Sequence, residues 1–286
     1  MREYKQYKDL IKYDYATMKI SSLMDLTEKQ CYLIKHIFKG MMLLKEFPLW
    51  STIEIETINK CNGECSFCPV NHRDDSRPLV RMKEELFHKI IDELASLEFI
   101  GEVNLYANNE PLMDNRIVEF AKYTKEKLPG ALIVLFTNGT LLTPLLSKQL
   151  LTYVGRLTIN NYNDAKQLNK QMEITYPLIK DDPKVVLNMR QENEVMSSRG
   201  GQARNKKLTG VACAPCSLMF RQMVIRPDVL ASQCCNDAWG ITSMGDVNKN
   251  TLVEIWNNDT YRELRESMIQ MDRHNIKTCK LCDTFG

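Results

Sequence analysis

The chain has 286 residues, 44% hydrophobic and 26% charged. These are the proportions of a folded globular protein, not of a disordered, collagenous or coiled-coil chain. With 38 basic and 36 acidic residues the net charge is +2, which gives no electrostatic case for nucleic acid or an anionic membrane as the main partner.

At about 150 residues per domain, the length predicts two domains, or one larger α/β domain with an appendage. Residues 1–10 are polar and lack an apolar core, so no secretory signal is expected. No run of about 18 apolar residues occurs, so no membrane span is expected and the protein is read as cytoplasmic. Residues 1–48 read as a helical extension, with an amphipathic helix over 31–47 that packs on the protein's own core.

From residue 51 strands and helices alternate. Residues 51–58 alternate apolar and polar side chains, as a strand does. A helix is predicted over 82–97, a strand over 103–107, and a helix over 115–128 closed by Pro129-Gly130. A buried-type strand follows over 132–136. Thr143 and Pro144 open a helix to about 153. Strands are predicted over 157–160 and 185–189, with a helix over 165–176 between them. This alternation is the signature of a parallel α/β sheet or barrel. It then fails: 192–210 reads as a long polar loop. Beyond it a hairpin (221–225 and 230–234, turning at Arg226-Pro-Asp), a helix over 251–269 and a final cysteine pair are expected. The domain boundary is placed near 205–212, giving residues 49–208 and 209–286.

Ten cysteines in a chain with no export signal point to metal or catalytic roles, not disulfides. Cys31 stands alone and reads as a buried, inert thiol. Cys61-Asn-Gly-Glu-Cys65-Ser-Phe-Cys68 offers three thiolates on one loop. Structural zinc takes four ligands. Three can hold three irons of a 4Fe–4S cube and leave the fourth iron open to a ligand. A zinc site with an unseen fourth ligand is the alternative. Cys213, Cys216, Cys234, Cys235, Cys279 and Cys282 cluster in the last quarter. The four histidines are scattered and make no catalytic arrangement. Arg73, Arg77 and Arg81 fit a solvated loop or an anion contact.

The three-cysteine loop follows the first strand, and an aromatic, Phe67, precedes its last cysteine. The next strand ends in Tyr106-Ala-Asn-Asn109-Glu110-Pro111, and the one after it in Thr137-Asn138-Gly139. In this the sequence resembles the radical S-adenosylmethionine (SAM) superfamily, which usually carries Gly-Gly-Glu or Gly-Glu-Pro in the former segment; here Asn108-Asn109 replaces the glycines.

The resemblance implies a partial (β/α)6 barrel. It also implies a 4Fe–4S cluster on Cys61, Cys65 and Cys68 that binds SAM, with Phe67, Asn109, Glu110, Pro111 and Asn138 around them. The C-terminal part resembles the shortened SPASM region, called twitch, and implies one auxiliary 4Fe–4S cluster on Cys216, Cys234, Cys279 and Cys282. A cluster using Cys213 or Cys235, or a zinc knuckle pair from Cys213/Cys216 and Cys279/Cys282, are the alternatives.

Ser198-Arg199-Gly200-Gly201 and Glu54 resemble active-site positions of radical SAM dehydrogenases that oxidise an aminocyclitol alcohol. Arg199 and Glu54 are therefore candidate catalytic residues. Those dehydrogenases have an aromatic at position 235. Here Cys235 could return a hydrogen atom to a substrate radical, so an epimerase is the alternative to a dehydrogenase, and a peptide-modifying maturase is a third reading. The implied partners are a polar small-molecule or peptide substrate and a flavodoxin- or ferredoxin-type electron donor.

Overall fold

A computed structural model describes residues 48–70, 75–208, 210 and 215–284. The N-terminal extension as far as residue 47, with Cys31, lies outside them, as do Arg73 and Cys213.

The alternation yields strands β1 (Thr52–Ile55), β2 (Glu102–Asn104), β3 (Leu132–Thr137), β4 (Arg156–Tyr162) and β5 (Val185–Arg190). They are joined by helices α1 (Glu84–Ser96), α2 (Ile117–Lys127), α3 (Pro144–Tyr153) and α4 (Lys170–Ile179). Every neighbouring pair among these strands is parallel. The chain continues through α5 (Leu218–Arg221), β6 (Gln222–Ile225), β7 (Leu230–Ser232), β8 (Ser243–Asp246), α6 (Leu252–Trp256) and α7 (Asp259–Ile269).

The eight strands form one sheet in the order β5-β4-β3-β2-β1-β6-β7-β8. β6 lies parallel to β1, with Ile53 opposite Met223, and β7 and β8 follow antiparallel. The predicted hairpin is therefore present as β6 and β7, but its first strand is also the sixth parallel strand of the main sheet. The sheet runs straight through the predicted boundary at 205–212. A hairpin pattern in sequence does not say which sheet edge it extends.

Ile53, Ile55, Val103, Ile133, Leu135, Leu157 and Ile159 are buried at every second position of β1 to β4, the pleat of a strand with one face on a helical layer. Phe87 of α1 stacks on Phe120 of α2 with ring centroids 4.1 Å apart. Burying side chains of this size stabilises the layer by about 2–3 kcal/mol each.

Two predicted helices differ at their ends. The 165–176 helix begins only at Lys170, because the Asn169 side chain accepts from Met172 N and caps it there. The 251–269 helix is two. Thr251 and Glu254 form a capping box on α6, and Asn258 then accepts from Tyr261 N and starts α7 afresh. Strand β8 was not predicted; its Ser-Met-Gly-Asp has no apolar alternation to announce it. Among the described residues no helix is long and apolar enough to cross a membrane.

Candidate functional site

Parallel strands deliver their following loops to one edge of the sheet, where α/β folds place their sites. The 61–68 loop leaves β1 at that edge. It is tied down by Glu110 N donating to Lys60 O at 3.0 Å, and by Ser66 N and Oγ donating to Glu192 O at 3.1 Å. Cys68 N donates to Cys65 O at 2.9 Å and curls the loop so that its cysteines share one wall.

A cavity of about 670 Å³ opens there. Cys61, Cys65 and Cys68 line it, and so do Phe67, Asn109, Glu110 and Asn138, together with Glu54, Arg199 and Cys235. All three candidate catalytic residues thus share one space with the three-cysteine loop. Pro111 is buried as the first residue of a 3-10 turn, Pro111–Met113, and is not on the wall.

Gly63 lies against two of the sulfurs. A Cβ on Gly63 would lie 3.6 Å from Cys61 Sγ and 3.9 Å from Cys65 Sγ. Burial and the proximity of the neighbouring thiols push Cys61 and Cys65 up to about 12. These thiols stay protonated at neutral pH unless a positive centre compensates them.

The Glu110 carboxylate is engaged by the chain: Leu112 N (3.1 Å) and Thr137 Oγ1 (2.7 Å) donate to Oε1, and Asn138 N (2.7 Å) donates to Oε2. Glu110 thereby ties the end of β2 to the end of β3. Burial raises its pKa to about 7 against those three hydrogen bonds. Asn138, so held, donates from Nδ2 to Asn62 Oδ1 at 2.8 Å and reaches back over the cysteine loop.

Glu54 alternates with Ile53 and Ile55, and its side chain faces the cavity side of the sheet, away from the helical core. It is 6% exposed, and burial raises its pKa to about 8, with Arg199 opposing. Gln222 of β6 donates from Nε2 to Glu54 Oε1 at 2.8 Å, and accepts at Oε1 from Cys235 N at 3.3 Å.

Arg199 sits at positive φ in a 3-10 turn, Arg199–Gly201. The following glycines are required. A Cβ on Gly200 would meet Thr278 O at 3.2 Å, and one on Gly201 would meet the Leu281 side chain at 2.7 Å. Ser198 Oγ donates to Leu281 O at 2.7 Å and Ser198 N to Asp283 Oδ1 at 2.8 Å. The turn that carries Arg199 is thus seated on the C-terminal cysteine segment. Arg199 Nη1 donates to Cys235 O at 3.3 Å.

Cys216, Cys234, Cys279 and Cys282 are all buried, away from the cavity. Burial raises the Cys234 pKa well above the usual thiol value, and Cys235, Cys279, Cys216 and Cys282 lie near enough to push it the same way. Gln233 donates to Cys279 Sγ at 2.8 Å, and its amide is fixed by Thr278 Oγ1 donating to Oε1 at 3.0 Å. Burial pushes Cys216 up to about 11 and Cys279 up to about 12, and the fully buried Arg273 opposes the rise at both.

Several cavity residues escaped the sequence reading. Tyr106 and Phe136 stack at 4.4 Å and form part of the wall. Asn108 is buried there, and Tyr162 packs on Phe67. Gln222 carried one available signal: an amide opening the otherwise apolar Gln-Met-Val-Ile strand, all of it buried.

A parallel sheet with three thiols on the loop after β1, and four more buried in the C-terminal part, Cys216 ahead of β6 and the other three beyond it, sets out two groups of sulfur donors of the kind iron–sulfur proteins use. Residues 55–162 match the radical SAM superfamily, and residues 216–283 match SPASM, an iron–sulfur cluster-binding domain. The chain is a radical SAM enzyme with a SPASM domain. The first domain binds a 4Fe–4S cluster and SAM, and the second binds auxiliary iron–sulfur clusters.

The chain is 27% identical over 240 residues to the S-adenosyl-L-methionine-dependent 2-deoxy-scyllo-inosamine dehydrogenase of Niallia circulans, covering 83% of this chain and 94% of that one. The crystal structure of BtrN in complex with AdoMet and 2-DOIA superposes with a TM-score of 0.70 at 25% identity, over 83% of this chain and 94% of that one. A shorter match, 35% over 104 residues, is to the Fe-coproporphyrin III synthase of Methanosarcina barkeri (strain Fusaro / DSM 804). It spans 34% of this chain and 24% of that protein.

Proposed function

We propose that this enzyme oxidises a secondary alcohol of a small amine-bearing polyol to a ketone. The relative named as a dehydrogenase of 2-deoxy-scyllo-inosamine suggests the substrate class. The observation that carries the reading is the single cavity shared by the three-cysteine loop, Arg199, Glu54 and Cys235.

The residues present fit the cofactors of the two domains. Cys61, Cys65 and Cys68 would hold the first cluster in the space beside Gly63, shielded by Phe67 and braced by Asn138. Cys216, Cys234, Cys279 and Cys282, buried and mutually coupled, would hold one auxiliary cluster. When bound, the first cluster with SAM supplies hydrogen-atom abstraction, and the auxiliary cluster supplies a place for one electron. A flavodoxin or ferredoxin would reduce the first cluster.

Oxidation of an alcohol removes a hydrogen atom, a proton and an electron. The chain's own share is orientation and the proton. Arg199 would hold the substrate oxygen. Glu54, with an oxygen (Oε2) that no protein group satisfies, would accept the hydroxyl proton. Phe67, Tyr106 and Phe136 give the cavity an apolar side against which a substrate would pack.

The test is incubation of the reconstituted enzyme with SAM, a strong reductant and 2-deoxy-scyllo-inosamine. A product about two mass units lighter is expected; an unchanged substrate pool with no SAM cleavage would refute the reading. The Cys235 thiol on the cavity wall favours one competing reading, epimerisation with Cys235 as hydrogen donor. That outcome would keep the mass in ordinary water, take up one deuterium in D2O, and disappear in Cys235→Ala.

A further inference from the structure

Asn108 is 5% exposed and lies on the wall of the cavity. Its backbone N donates to Glu56 Oε1 at 3.0 Å, and its side-chain Nδ2 donates to Cys235 O at 3.0 Å. A carbonyl accepts only from a donor, so the Cys235 contact fixes which way the amide faces. Nδ2 must point at Cys235, and Oδ1 must point elsewhere. That Oδ1 is buried and has no hydrogen-bond partner. Leaving such an acceptor without a donor is unfavourable, and a glycine at this position would incur none of that penalty.

The neighbours say which ligand relieves that cost. Cys235 O, which holds Asn108, also receives Arg199 Nη1. Cys235 N is bound through Gln222 to Glu54, whose own Oε2 is likewise buried and unsatisfied. Asn108, Arg199 and Glu54 are thus fastened to the main chain of one residue, Cys235, the last of them through Gln222. Two of the three, Asn108 and Glu54, line the cavity and each carries a buried oxygen that no protein donor satisfies, a pattern that suits a ligand rich in hydroxyl or ammonium donors.

We propose that Asn108 is a substrate-specificity residue whose Oδ1 accepts a hydrogen bond from an ammonium or hydroxyl group of the substrate. This rests on the reading of the cavity as an amine-bearing polyol site. The contact is assigned to substrate and not to SAM, because Asn108 shares the Cys235 main chain with Arg199 and, through Gln222, with Glu54, the two residues proposed to act on the alcohol.

Binding without turnover tests it. The oxidised protein with both clusters in place is titrated calorimetrically with SAM, and then, SAM-loaded, with 2-deoxy-scyllo-inosamine. Asn108→Ala should leave SAM affinity and iron content at wild-type values and weaken aminocyclitol binding about tenfold, the size of one hydrogen bond to a charged group. Asn108→Asp keeps an acceptor oxygen but cannot donate to Cys235 O. It should bind the cationic aminocyclitol at least as well as wild type.

If Asn108→Asp falls as far as Asn108→Ala, the side chain acts only by holding Cys235, and the proposal is overturned. It is overturned equally if Asn108→Ala binds the aminocyclitol as wild type does, or if its loss lies in SAM affinity. Wild-type protein that binds SAM but not the aminocyclitol would instead refute the substrate reading, and this inference with it.

Discussion

Glu54→Gln tests the buried carboxyl by two measurements of opposite sign. The substitution keeps the shape and the oxygen that receives Gln222 Nε2, and it removes only the titration. Burial is the dominant cause of the raised pKa. Glu56 and Glu102 push the same way, Arg199 and Arg221 oppose, and Tyr106 and Cys235 are the other ionisable groups that sense Glu54.

With the folded carboxyl at about 8 and the unfolded one at about 4.5, the folded state holds the extra proton between these values. Stability from this group is complete below about 4.5 and is lost as pH rises to about 8. The slope is about 1.4 kcal/mol per pH unit where the shift is fully expressed. Across that window the loss is at most about 5 kcal/mol.

Melting curves at pH 6 and pH 8.5 should therefore converge for Glu54→Gln relative to wild type, with the variant the more stable at pH 8.5. Turnover runs the other way. A proton acceptor must be ionised, so the wild-type rate should rise about tenfold per pH unit up to about 8 and then level. Glu54→Gln should lose the rate and its pH dependence together. Parallel melting of the two proteins at both pH values would refute the raised carboxyl. A wild-type rate flat between pH 6 and 8 would refute Glu54 as the acceptor.

Anaerobic reconstitution of wild type should give about eight irons, falling to about four in the Cys61/Cys65/Cys68→Ala triple variant; four falling to none would remove the auxiliary cluster. Gln233→Leu deletes the amide that donates to Cys279 Sγ. It should shift the auxiliary cluster's reduction potential to a more negative value in a spectroscopic redox titration and leave the first cluster's unchanged, because hydrogen bonds to sulfur raise the potential. Unmoved potentials would show that the amide does not reach the cluster. Gly240→Ala places a Cβ 0.6 Å from an Arg226 guanidinium nitrogen at a φ of +63°. It should cost about 2 kcal/mol or more, read as a lower melting temperature; an unchanged melting temperature would mean that Arg226 yields freely.

The parallel strands were legible because alternation, Pro144 at a helix start and the Pro129-Gly130 break are local signals. Glu54 was legible for the same reason: Ile53 and Ile55 fix the face it must take. The break at Asn257-Asn258 was written in a capping residue but masked by a continuous apolar pattern on either side. What could not be read were pairings across distance. Gln222 finds Glu54 across 168 positions, and Asn108 finds Cys235 across 127. No periodicity encodes which main-chain carbonyl a buried amide will meet. The engagement of Glu110 by Leu112, Thr137 and Asn138 belongs to the same class, since only the closeness of the β2 and β3 ends brings those donors together.

The two thiol groups are best understood through the Cys234-Cys235 step that follows β7. Cys234 turns into the buried set with Cys216, Cys279 and Cys282, and the next residue lines the cavity. The Cys235 carbonyl anchors Arg199 and Asn108, and its N–H, through Gln222, anchors Glu54. The Arg199 turn in turn rests on Thr278, Leu281 and Asp283, around the last cysteine pair. One wall of the cavity is therefore built from the segment that carries the second thiol set. β6, which places Gln222, is also part of the sheet that carries the first. Under the proposed function, the segment that would receive an electron from a bound substrate is also the one that shapes the wall around Arg199, so loss of the C-terminal segment is expected to remove binding as well as electron transfer.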